Sequence, residues 1–187
     1  MKRIVSFSWI FLLSITLFSQ VDLSLGLVAY YPLDTAAIDY SSYNIQGTIY
    51  GAIPDSGKND LPYSAFYFDG TNQYIDCTDD GRSITDKVSV SAWINKSTDL
   101  DCHIVNKYRG SNGTIQQGFH LATKDGFPYF GGRLGQTGTE GYYYILADES
   151  RIMDGNWHHL LGTVDGNEWN FWVDGYHVGT LIGNSSN

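Results

Sequence analysis

Glutamate is nearly missing from this chain: of 20 acidic residues only Glu140, Glu149 and Glu168 are glutamates, and the other 17 are aspartates. Glutamate favours helices, whereas the short aspartate side chain bonds nearby backbone and favours turns, so the balance argues against a helical fold. Basic residues are few as well, with 11 Lys and Arg against those 20 acids. A protein so charged repels phosphate backbones, which excludes nucleic-acid binding as a working hypothesis. Cys77 and Cys102 are the only cysteines and lack the paired C-x-x-C spacing of a structural zinc site. Beyond Ile4–Phe18 there is no long apolar run, charge block, low-complexity tract or internal repeat, so one domain and no membrane span are expected in the mature chain.

The residues that are abundant point the same way. With 21 Gly and 14 Tyr beside the aspartates, the composition reads as strands joined by many Asp/Gly turns, and 187 residues suit one all-β sandwich with a sizeable core. Lys2 and Arg3 precede the apolar run, which is shorter than the roughly 20 residues a bilayer span needs. Residues 1–26 therefore read as a signal peptide, cleaved after Ser19 or Gly26, and the protein as secreted, extracellular or cell-surface. In an exported chain an even pair of cysteines predicts a disulfide, here Cys77 to Cys102, at the ends of strands Tyr74–Asp76 and His103–Tyr108.

The clearest local signal runs from Asp154 to Gly175. Two β-rich runs, Asn156–Val164 and Glu168–Val173, flank Asp165-Gly166-Asn167, and Asp174-Gly175 follows. Tight hairpin turns need positive φ, which Gly takes without steric cost and Asp tolerates. Alternation places Trp169, Phe171 and Val173 on one face of the second strand, and Trp157, His159, Leu161 and Thr163 on one face of the first. These are the faces expected to meet a second layer, with His159 a hydrogen-bonded core residue and His158 pointing the other way, so the two histidines cannot share an ion. Further strands are expected at Thr48–Ala52, Gly118–Thr123, Phe127–Gly132, Tyr142–Leu146 and Tyr176–Ile182, with a turn at Asp125-Gly126. Near a dozen strands suit a two-sheet antiparallel jelly roll.

Trp157-His158-His159-Leu160, with its turn and the strand ending Val173-Asp174-Gly175, resembles the laminin-G-like jelly-roll family of the concanavalin A-like lectin/glucanase superfamily. Leu27–Leu33 resembles the family's opening strand, and Asp39–Gly47 its D-x-S-G-x-x-x-x-G loop without the usual glycine. Ser64–Ile75 is similar to A-x-x-F-D-G-x-x-x-Y-I, and Val88–Ile94 to the x-S-A-W-I strand. The resemblance implies a laminin-G-like domain over residues 27–187. Nothing here resembles the family's later F-x-G-x-I-D-D-[VI]-R-[IV]-Y stretch, so the domain is expected to be C-terminally incomplete and to belong to a longer parent chain with further domains.

The resemblance also implies chemistry. The loop at Asp39 commonly holds a structural calcium in such domains, which makes Asp39 and Asn44 the candidate ligands. The glucanase branch uses E-x-D-x-x-E, and that motif is absent, so no catalytic residue is expected. A sugar site needs aromatic platforms with polar neighbours. Tyr142, Tyr143 and Tyr144 must turn some ring away from the core, and Trp172 lies opposite Trp169 and Phe171 on its strand. His103, His120 and His177 stand isolated and carry no reading. The expected function is a noncatalytic binding module for a glycan or an extracellular protein. The alternatives are part of an extracellular glycoside hydrolase, or a structural or adhesive spacer.

Overall fold

The computed structural model describes residues 22–77, 86–109, 117–133 and 142–183. Most of the expected signal peptide lies outside them. Twelve strands follow in order: β1 (Thr48–Tyr50), β2 (Ile53–Asp55), β3 (Ala65–Tyr67), β4 (Tyr74–Asp76), β5 (Lys87–Asn95), β6 (Cys102–Arg109), β7 (Gln117–Lys124), β8 (Phe127–Arg133), β9 (Tyr143–Leu146), β10 (Trp157–Asp165), β11 (Glu168–Val173) and β12 (Tyr176–Ile182). Among the described residues one 3-10 turn, Lys58–Asp60, lies between β2 and β3. Two four-stranded antiparallel sheets form the sandwich, one ordered β12-β11-β10-β5 and the other β6-β7-β8-β9, while β1 pairs β4 and β2 pairs β3 in small ribbons. The all-β jelly-roll architecture read from the sequence is present.

The turns are those the sequence encodes. Asp125-Gly126 and Asp174-Gly175 carry positive φ at both residues (52° and 86°, 51° and 80°), the twist that joins adjacent antiparallel strands tightly. Between β10 and β11 the register runs Asp165↔Glu168, Val164↔Trp169, Gly162↔Phe171 and Leu160↔Val173. Directly paired residues share a face. The core face of β10 is therefore Leu160, Gly162 and Val164, and Trp157, His159, Leu161 and Thr163 lie on the outer face, opposite to expectation. Gly162 shows why: a Cβ there would stand 2.4 Å from the Phe130 ring, so this strand meets the facing sheet at a glycine.

Between the sheets Phe130 is fully buried, its ring centroid 5.3 Å from that of Trp169 and 6.5 Å from that of Phe171. Phe119, Leu121, Leu160, Val164, Val173, Ala147 and Ile152 complete the core. Burying these side chains, at about 1.5–3 kcal/mol for each large one, is the main force closing the two layers.

Two other expectations are corrected. Leu27–Leu33 is not a strand. Tyr30 N–H donates to the Asp39 carboxylate (2.9 Å) and its carbonyl accepts from Tyr40 N–H (2.9 Å), so a loop, not a ladder, satisfies this backbone. Nor are the cysteines joined. Cys77 follows β4 in a small ribbon beside the Tyr31 hydroxyl, whereas Cys102 opens β6 in a large sheet, its sulfur 3.5 Å from Thr123 Oγ1. Each thiol has its own surroundings, and both are free in this structure.

Candidate ligand-binding face

The outer face of the β6-β7-β8-β9 sheet is an aromatic grid set by strand register. One row reads Asn106, His120, Gly131, Tyr144, and the row beside it His103, Ala122, Tyr129, Leu146. On the other side Tyr108 pairs Gly118 and Gly118 pairs Arg133, with Tyr142 just before the start of β9. Gly118, Gly131 and Ala122 present almost no side chain, so the rings around them converge over the middle of the sheet. Gly131 is required there, since a Cβ would lie 2.5 Å from the Tyr143 carbonyl oxygen and 2.6 Å from Tyr144 Cβ.

His120 is the hub. Its ring centroid lies 5.0 Å from His103, 5.6 Å from Tyr108, 5.4 Å from Tyr129 and 5.2 Å from Tyr142. It is 6% exposed. Burial, with a smaller contribution from the charge of His103, holds its imidazole down at about 4, so it is neutral at physiological pH. The Tyr142 hydroxyl meets His120 Nε2. Nδ1 is buried with no hydrogen-bond partner, as is Arg133 Nε. Burial also raises Tyr129 and Tyr142 above the ordinary phenol range. Tyr142 and Tyr144 stay 37% and 49% exposed at the rim.

Of the residues singled out from sequence, Tyr142 and Tyr144 thus share this face, their centroids 6.0 Å apart. Tyr143 points the other way, half-buried against the core. Trp172 belongs to the opposite surface of the sandwich, its ring 5.2 Å from His177. On that surface Trp93 contacts His159 at 5.0 Å, and Lys58 places its ammonium 3.3 Å from the Trp93 centroid. His103 and His120 were missed because their partners are distant in sequence. Only the apolar strand around His120 hinted at a buried imidazole.

Asp39 and Asn44 are also apart from the grid. Asp39 is 2% exposed. Its Oδ1 accepts from Tyr30 N–H and Ser41 N–H (2.9 and 2.8 Å), and Oδ2 from the Ser41 hydroxyl and Ile45 N–H (2.7 and 2.9 Å). Burial works against its ionisation, but these donors outweigh it and hold the carboxyl at about 2. Asn44 Oδ1 accepts from Gln46 Nε2 at 2.6 Å. Calcium needs six to eight oxygens, while here the chain already fills the acceptors, and no group of three or more metal-binding His, Cys, Asp or Glu occurs among the described residues. The residues present do not fit a resident calcium; Asp39 anchors the loop.

His158 makes a second polar cluster. Its Nδ1 lies 2.7 Å from Asp174 Oδ2 and its Nε2 3.0 Å from Asp154 Oδ1, while Asp174 Oδ1 accepts from His159 N–H at 2.8 Å. Burial lowers the affinity of His158 for its proton, yet the two carboxylates prevail and raise it. A shallow cleft of about 290 Å³, lined in part by Arg151, Val173 and Tyr176, opens beside it. The imidazolium clamps two turn acids to the hairpin.

Among the described residues no helix is long and apolar enough to cross a membrane. No curated protein sequence is similar to the chain. Among solved structures, the binding domain of Paraclostridial Mosquitocidal Protein 1 is similar at 15% identity and TM-score 0.51, covering 78% of this chain and 37% of that one. The receptor binding domain of botulinum neurotoxin mosaic serotype C/D gives 16% identity and TM-score 0.54, covering 80% and 37%. Domains LG4-5 of the mouse laminin alpha1 chain give 14% identity and TM-score 0.44, covering 57% and 26%. The chain thus spans well under half the length of each. A laminin G family model, described as the concanavalin A-like lectin/glucanases superfamily, matches residues 69–187, and that stretch carries the aromatic grid and the hairpin alike. The chain belongs to the laminin-G branch of the concanavalin A-like lectin/glucanases superfamily.

Proposed function

We propose that this chain is an extracellular, noncatalytic binding module that takes a carbohydrate on the outer face of β6–β9. The observation that carries this reading is the pairing of rim-exposed Tyr142 and Tyr144 with the unpartnered buried polar atoms His120 Nδ1 and Arg133 Nε. Rings supply stacking area for a sugar's apolar face, and orphaned polar atoms gain the most from a ligand hydroxyl. Two of the similar structures are named as binding domains, which supports a binding role in general and no particular ligand. Glycoside hydrolysis needs two carboxyl groups about 5–10 Å apart across the sugar bond, and the residues of the grid include none. An extracellular location accords with the leader read from the sequence. A glycan array on the full chain tests the proposal. Saturable binding that Tyr144→Ala weakens tenfold or more, and that Trp172→Ala leaves unchanged, is the expected result. Sensitivity to Trp172 alone would move the site to the opposite surface, and an array without saturable binding would leave a structural or adhesive spacer.

A further inference from the structure

We propose that Tyr50 and Tyr74 form a modification site, where a peroxidase using hydrogen peroxide joins the two rings as dityrosine and so staples β1 to β4. This goes beyond carbohydrate binding and does not depend on it. The two residues face each other directly in the antiparallel register of the ribbon. Their ring centroids are 4.6 Å apart and the planes inclined at only 18°, so the phenols are stacked in van der Waals contact. Four other tyrosine pairs among the described residues are wider, at 6.0 or 6.5 Å, and inclined at 37° to 79°.

The stacked pair is both reachable and held in place. Tyr50 is 45% exposed and Tyr74 52%, so an oxidant reaches both rings and each has room to turn edge-on to its neighbour. On the other face of the ribbon a Cβ at Gly47 would stand 2.7 Å from Ala37 Cβ and 2.9 Å from Ile75 Cγ2, so β4 packs tightly on the loop that Asp39 anchors. Before Tyr74, Gln73 Oε1 accepts from Asp69 N–H and Asp69 Oδ1 accepts from Thr71 N–H, both at 2.8 Å. These contacts fix the register that sets one phenol over the other. In the reaction each phenol gives up one electron and its hydroxyl proton, leaving an oxyl radical whose spin is shared with the ortho ring carbons. One ortho carbon of each ring joins its counterpart in a new C–C bond, and the hydrogen each carried moves to the phenol oxygen, restoring both aromatic hydroxyls. The peroxide takes the two electrons and two protons and breaks its O–O bond to give two waters. Two radicals held in contact couple before either meets one on another molecule. The link would tie together two three-residue strands, a ribbon that is marginal alone. Cys77, just after β4, is a free thiol and supplies no such tie.

Treatment of the full chain, at low protein concentration, with a haem peroxidase and one equivalent of hydrogen peroxide tests the proposal. The main product expected is a monomer lighter by two hydrogens, with dityrosine fluorescence and with residues 50 and 74 in one cross-linked peptide pair on mass mapping. Tyr50→Phe and Tyr74→Phe each keep the ring and its stacking but lose the phenol, and either should lower the yield of cross-linked monomer tenfold or more. Tyr63→Phe, at a tyrosine 63% exposed, should leave that yield unchanged. If Tyr50→Phe gives as much cross-linked monomer as the wild type, or if the wild type gives only joined dimers or a link between other tyrosines, the site does not exist. No sugar takes part, so loss of glycan binding would leave this result untouched, and failure here would leave the functional proposal standing.

Discussion

Gly162 and Asp39 show how single positions set the molecule's shape. A methyl group at 162 would lie 2.4 Å from Phe130, a ring held on its other sides by Trp169 and Phe171, so neither partner can yield cheaply. Gly162→Ala should destabilise by about 1–3 kcal/mol through overpacking. Gly179, where the nearest atom to a built Cβ is Ile145 Cγ2 at 3.5 Å, is the control, and Gly179→Ala should change little. Urea unfolding of both variants checks this, and equal losses would show that the close approach does not matter. Asp39 acts by a different route. Asp39→Ala would strip an acceptor from the N–H groups of Tyr30, Ser41 and Ile45 at a site 2% exposed. A loss of about 2–4 kcal/mol is expected, since each stranded donor loses its compensation for desolvation. With its oxygens filled, wild-type protein should melt at the same temperature in excess calcium as in chelator, and a rise of several degrees would show that the loop opens to take the ion.

At the scale of elements, the hairpin of β10 and β11 is tied to its flanking turns by His158. The imidazolium stabilises the fold fully below the unfolded histidine pKa of about 6.5, and that contribution fades as pH rises through the raised folded value. His158→Leu should therefore lose about 1 kcal/mol near pH 6 and progressively less above neutrality. Stability curves at three pH values decide it, and a deficit constant with pH would mean that packing, not charge, is the contribution. How much of the hairpin was legible turns on arithmetic along it. Asp165-Gly166-Asn167 announced the turn, and Trp169, Phe171 and Val173 their own core face. With Gly166 and Asn167 as the two loop residues, Asp165 must pair with Glu168, and counting outward sets Leu160 against Val173. The core face of β10 was thus implicit, but the pull of Trp157 as a large apolar residue pointed to the wrong parity. The alternation of Tyr142, Tyr143 and Tyr144 was read correctly as requiring an outward ring. Leu27–Leu33 was not, because its pattern reports propensity while the Asp39 carboxylate, nine residues from Tyr30, takes the backbone N–H a ladder would need. His103 and His120 lie on neighbouring strands 17 residues apart in sequence, and only register makes them neighbours. The candidate site was legible at its rim and hidden at its centre.

For the whole molecule, opposing protonation demands set the pH at which the sandwich is most stable. His120 is held neutral down to about pH 4, whereas in the unfolded chain it takes a proton near pH 6.5. Its depressed value means that its contribution is complete above about pH 6.5 and lost as pH falls towards 4, up to about 3 kcal/mol. Asp39, Asp154 and Asp174 are all lowered, so their contributions are present above the unfolded carboxylate value and lost below about pH 4. His158 has the opposite sign and weakens the fold only on the alkaline side. Together these place the maximum close to pH 6.5, with an acid limb that begins well above the carboxylate range. In His120→Gln the buried titratable ring is gone and an amide of similar reach can still meet Tyr142. Its acid limb should start only below about pH 4, though its peak stability should be lower than that of the wild type. Thermal unfolding from pH 3 to 8 for the two proteins tests this. If both limbs begin at the same pH, the buried imidazole is not what governs the response, and the aspartates of the turns must carry it.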